Sequence, residues 1–150
     1  MAMAAIDSAP LRIFVYDEIL ARGVPPSAAS IAAHFESSPA EARRSLANLN
    51  IGKTVLVDPA SGEIWMAGPF SAVPTPYRVV GQGREWWANC AWDMFGVAAI
   101  ANERVTVHTR CTDCGHPMTI ICDPDVAPHD EGVVHFLLPA SRWYEDIGFT

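Results

Sequence analysis

The chain is poor in charge, and poorest in positive charge. Only 18% of its 150 residues are charged, with ten Lys and Arg against seventeen Asp and Glu; a typical soluble domain carries ~25%. Residues 1–70 hold five basic and seven acidic groups, and residues 71–150 hold five and ten. Neither half has the clustered Lys and Arg that binding a phosphate backbone requires, which argues against nucleic acid as a partner. Also missing is any run of 18 apolar residues, so no segment reads as a membrane-spanning helix. The opening "MAMAAIDSAP" lacks the charged start and long apolar stretch of a secretion signal. The expected compartment is therefore a reducing cytoplasm, where Cys90, Cys111, Cys114 and Cys122 are thiols or metal ligands rather than disulfides. There is no G-x-S-x-G, no P-loop and no dinucleotide fingerprint; Gly81-Gln82-Gly83 is only a loop. Internal repeats and low-complexity tracts are absent as well.

Half of the residues are apolar, enough for a compact domain, or two small subdomains sharing a core. Leu11, Val15 and Ile19 recur every four residues, which predicts an amphipathic helix over 10–22, ended by Gly23. A short second helix is expected over 26–35. In "SSPAEARRSLANL", Ser38 can cap, Pro39 suits the first turn and Glu41 completes a capping box. "KTVLVDPASGEIWMAG" reads as two strands around a turn. Three helices and a hairpin describe a winged-helix-like unit over 1–67. A basic recognition helix is lacking, so a structural or dimerising role is expected of it.

Residues 68–83 are broken by prolines and read as a surface linker. The aromatic run 84–101 reads as one long buried helix. Strands are expected at 104–110, 117–122 and 132–138. The fold class is thus α+β: a three-helix N-terminal subdomain packed on a helix and a small, mostly antiparallel sheet, with 84–150 as the core region. The apolar end "SRWYEDIGFT" suggests that the natural chain continues beyond Thr150.

Two constellations carry chemistry. Cys90 and Asp93 are three residues apart, so on a helix they share a face. A thiolate is a soft nucleophile and soft-metal ligand. A carboxyl group desolvated by Trp86, Trp87 and Trp92 has its pKa raised and can hold a proton near neutrality. Against this stands the plain alternative of a buried Cys acting as a small hydrophobe. Cys111-Thr112-Asp113-Cys114-Gly115 has the form of a metal knuckle, but zinc needs four donors. Only Cys122, His129 and His135 are candidates to complete it.

The order of parts resembles the organomercurial (alkylmercury) lyase family. Trp87-Ala88-Asn89-Cys90-Ala91-Trp92-Asp93 matches its "W-x-x-C-A-x-D" segment, with similar distances on to Cys111 and to "LLP". The resemblance implies protonolytic cleavage of a carbon–mercury bond, releasing a hydrocarbon and Hg(II), with no resident cofactor. It implies that Cys90 binds mercury, that Asp93 delivers the proton and acts as a ligand, and that Trp86, Trp87 and Trp92 wall the substrate pocket. Small thiols or a partner thiol protein would remove the Hg(II). In the family a second catalytic cysteine follows the segment matching "LLP". Here that point falls at or just past Thr150, and no cysteine stands there within 1–150. Three readings stay open: a truncated lyase, a chain in which Cys111 or Cys114 supplies the second thiol, and a lyase-like protein that binds metal without cleaving. The alternative function is a noncatalytic mercury- or zinc-binding, or metal-sensing, winged-helix protein, with Cys111 and Cys114 as tentative ligands.

Overall fold

The computed structural model describes residues 6–127 and 132–148. Helix α1 (Ser8–Arg22) buries Leu11, Val15 and Ile19, the stripe expected from their spacing. It stops at Gly23, whose φ of 81° suits glycine and whose N–H returns to the Ile19 carbonyl at 2.8 Å. Helix α2 (Ala28–His34) is capped by Ser27, and α3 (Pro39–Ile51) by the Ser38–Glu41 capping box. The hairpin β1 (Val55–Val57) and β2 (Ile64–Ala67) follows.

Residues 68–83 do more than link. They supply β3 (Phe70–Ser71) and β4 (Arg78–Val80), with Phe70 and Val79 buried. The prolines at 74 and 76 fall between these strands, where no ladder donor is needed.

The long helix expected over 84–101 does not form. Its first part is β5 (Glu85–Ala88), in which Trp86 and Ala88 point into the core on alternate positions. A turn over 89–92 then leads into α4 (Asp93–Ala101). Pairing with β3 and β4 wins over helix here because both edges of β5 find partners. The hairpin β6 (Val105–Arg110) and β7 (Pro117–Cys122) is as expected. Residues 132–138 form no strand and join no sheet among the described residues, with Val133 and Leu137 exposed.

The seven strands make one sheet in the order β1-β2-β3-β5-β4-β6-β7, with every neighbour antiparallel. The α+β class therefore holds, and the first hairpin is continuous with the sheet that carries the later residues. One core joins the helical stripe to Phe70, Val79, Trp86, Val97 and Val107. Two hydrogen bonds fasten the end of α1 to β5: the Trp86 indole N–H to the Ile19 carbonyl (2.9 Å), and Arg84 to the Leu20 carbonyl (2.8 Å).

Candidate active site

Strand β5 ends at Ala88, and the chain must then turn to start α4. That turn sets Asn89, Cys90 and Trp92 beside Asp93, the first residue of the helix. Cys90 and Asp93 meet because a turn closes on a helix N-terminus, not because they share a helical face. They line a cavity of about 400 Å³. Its other walls come from distant elements: Trp65 and Met66 of β2, the 73–76 loop, and Phe136, Trp143 and Tyr144.

The Cys90 thiol donates to the Asp93 carboxylate, which also accepts from the Cys90 N–H and the Asn89 side-chain amide. The backbone N–H groups of Asp93 and Trp92 in turn donate to the Cys90 sulfur. The N–H donors, and the positive end of the α4 dipole, favour negative charge at both groups, while the thiol–carboxylate bond favours it at Asp93 alone. Burial opposes them and wins. It pushes the Cys90 thiol above its ordinary pKa, assisted by the adjacent Asp93 charge, and it raises the Asp93 carboxyl as well. The pair therefore holds a proton between sulfur and carboxylate more tightly than either group would in water.

Two tyrosines and an amide complete the surroundings, and none was visible in the sequence pattern. Tyr77 has its pKa raised by burial and by the neighbouring Cys90. Tyr16, on α1, is likewise raised by burial; Arg12 opposes this, and the nearby Asp93 adds to it. Its hydroxyl donates to the Gly68 carbonyl at 2.7 Å, so α1 reaches the edge of the site. The Asn89 side-chain oxygen is buried without a partner in the cavity wall.

Of the three tryptophans expected to wall a substrate pocket, Trp92 alone lines this cavity. Trp86 points to the opposite side, 1% exposed and hydrogen-bonded to α1. Trp87 is half-buried and also outside the lining. Trp86 and Trp87 belong to β5 and leave its opposite faces, whereas Trp92 lies in the turn beyond the strand that borders the cavity. Trp65 and Trp143 take their place, and nothing local in the sequence marked them.

Of the four cysteines, Cys90 alone lines this cavity. Cys111 and Cys114 sit in the β6–β7 turn, and Cys122 is buried on β7. Neither thiol of the turn shares the cavity with Cys90. Among the described residues, no group of three or more His, Cys, Asp or Glu is placed to hold a metal ion, so zinc at Cys111 and Cys114 finds no support. His135 lies by Trp92 in a separate shallow groove, and His129 lies outside the described residues.

A sequence model of the alkylmercury lyase (MerB) family matches residues 70–148, more than half of the chain. The chain belongs to the alkylmercury lyase family. The match includes Cys90, Asp93 and the 136–148 wall of the cavity. Among solved structures, the mercury-bound form of MerB2 is similar in fold, with a TM-score of 0.62 and 19% sequence identity. The similarity covers 82% of this chain and 59% of that one, so this alkylmercury lyase family member spans about three-fifths of that structure's length. No curated protein matches the chain. Among the described residues no helix is long and apolar enough to cross a membrane.

Proposed function

We propose that the protein cleaves carbon–mercury bonds by protonolysis, with Cys90 as the mercury-binding thiol and Asp93 as the proton carrier. The observation that carries this reading is the hydrogen-bonded Cys90–Asp93 pair in the wall of a cavity lined by Trp65, Trp92 and Trp143. An alkylmercury ion arrives bound to a small thiol. Cys90 sulfur displaces that thiolate, and the Cys90 proton moves to Asp93. The sulfur donates electron density to mercury, and the attached carbon becomes basic enough to take the proton back from Asp93. The carbon–mercury bond breaks as the carbon–hydrogen bond forms. Hg(II) stays with the Cys90 sulfur and the freed Asp93 carboxylate until a small thiol or a partner thiol removes it. No oxidant or resident cofactor enters the balance.

The apolar walls suit an organic group, and the burial that raises both pKa values keeps the proton on the pair. We read the N-terminal helices as a positioning element, because Tyr16 and Trp86 tie α1 to the strand and loop that frame the cavity. Incubation with methylmercury and excess small thiol tests the proposal. The intact chain should release methane, and Cys90→Ser should lose at least about 100-fold of that rate, the lower end of what such a positioned group supplies. Stoichiometric mercury binding by the intact chain without methane would replace the lyase reading with that of a noncatalytic binding module.

A further inference from the structure

The β6–β7 turn carries two thiols that the cleavage reaction does not use. Three hydrogen bonds fix its shape: Cys111 N–H to the His116 carbonyl (2.9 Å), Gly115 N–H to the Cys111 carbonyl (2.9 Å), and Arg110 to the Gly115 carbonyl (3.2 Å). Gly115, at φ 71°, permits the bend. Within it the Cys114 thiol donates to the Cys111 sulfur, alongside the backbone N–H groups of Cys114 and Asp113. The turn thus brings the two cysteines together. Cys114 is exposed and Cys111 partly so.

We propose that Cys111 and Cys114 form a second, surface site that holds Hg(II) as a two-coordinate bis-thiolate. Two donors decide the class of ion. Zinc fills a four-donor shell, and no third His, Cys, Asp or Glu joins the pair among the described residues. Hg(II) is satisfied by two soft sulfurs, so the pair is a complete site for it and an incomplete one for zinc. The step is a ligand exchange without redox change. Mercury leaves two small thiolates and binds two protein sulfurs, and the two cysteine protons pass to the departing thiolates.

The site is separate from the cavity. Arg78 pairs with both Trp87 and His108, so β4 lies between the strands leading to Cys90 and to Cys111. Both residues lie beyond the same end of the sheet, with those strands two spacings, roughly 10 Å, apart. This inference goes beyond the proposed cleavage and does not require it.

Reduced protein is offered Hg(II) in excess monothiol, and bound mercury is read by native mass spectrometry and thiolate-to-mercury ultraviolet absorption. Cys90→Ser removes the cavity thiol, and this variant should retain one Hg(II) per chain. Adding Cys114→Ser should weaken retention by about 10²–10⁴-fold, the loss expected when a chelate becomes a single ligand. Circular dichroism checks that each variant is folded. If Cys90→Ser does not fold, the same contrast is read between the intact chain and Cys114→Ser, as a stoichiometry lower by one. Cys114→Ser alone should leave methane release unchanged, so failure of the turn site and failure of the lyase reading are seen separately. Equal mercury retention with and without Cys114, or no retention by folded Cys90→Ser, overturns the proposal.

Discussion

Replacing Trp86 with Phe separates two roles for this residue: wall of the reaction pocket, or rivet between the helices and the strand that leads to Cys90. The side chain is 1% exposed, and its indole N–H donates to the Ile19 carbonyl at 2.9 Å. That carbonyl also accepts the Gly23 N–H at 2.8 Å, so it keeps a partner when the indole is lost. The hydrogen-bond loss should then lie near the low end of the usual range, about 0.5–1 kcal/mol. Phe leaves ~40 Å³ unfilled, and at ~24 cal/mol per Å³ the cavity adds ~1 kcal/mol. The lost apolar burial of the second ring contributes ~1 kcal/mol more. Little relaxation is available, because the ring lies so close to Gly81 that a β-carbon there would come within 2.7 Å of it. The total is about 2.5–3 kcal/mol, read as a lower urea midpoint with an unchanged slope. The KM for methylmercury should stay the same for the folded fraction. A loss under about 1 kcal/mol, or a raised KM with stability retained, would refute the rivet and restore the pocket wall.

Asp93→Asn should lower the methane-release kcat by about 10²–10⁴-fold, the usual worth of a positioned proton donor. It should also change the pH dependence of stability. Burial raises the Asp93 pKa, so its contribution is full below the unfolded carboxyl value and is lost as pH rises through the folded value. Relative to the intact chain, Asp93→Asn should therefore be more stable at pH 7 than at pH 4 in urea titrations, and the opposite order would contradict the burial argument. Gly23→Ala should cost about 1–3 kcal/mol by thermal unfolding, since φ is 81° and a β-carbon would collide with the Glu85 carbonyl. An unchanged melting temperature would mean that α1 and β5 do not approach as closely as described.

The helical half was legible because each helix carries a local signal: a four-residue apolar spacing in α1, a capping box in α3, a glycine stop at 23. The run 84–101 was not, because a short apolar segment fits a buried strand or a buried helix equally well. Tryptophans and alanines there gave no alternation until neighbouring strands chose the buried side. The Cys90–Asp93 pair was found, though by the wrong geometry. Three-residue spacing serves a turn entering a helix as well as it serves a helical face. The cavity walls were illegible for a different reason. Trp65, Trp143 and the Tyr16 hydroxyl reach the site from β2, from the segment after 132 and from α1, and no local pattern records such long-range convergence.

The surroundings of the cysteines divide their chemistry. Cys90 lines a cavity where burial holds its proton, and in the proposed reaction that proton moves only as far as Asp93. Cys111 sits in an open turn where backbone N–H groups favour the thiolate. A thiol with an acid beside it can use its proton on a carbon; a pair of thiols with no acid placed to deliver a proton can only hold an ion. The two cysteines of the turn lie two strands away from Cys90, so loss of either site should leave the chemistry of the other intact.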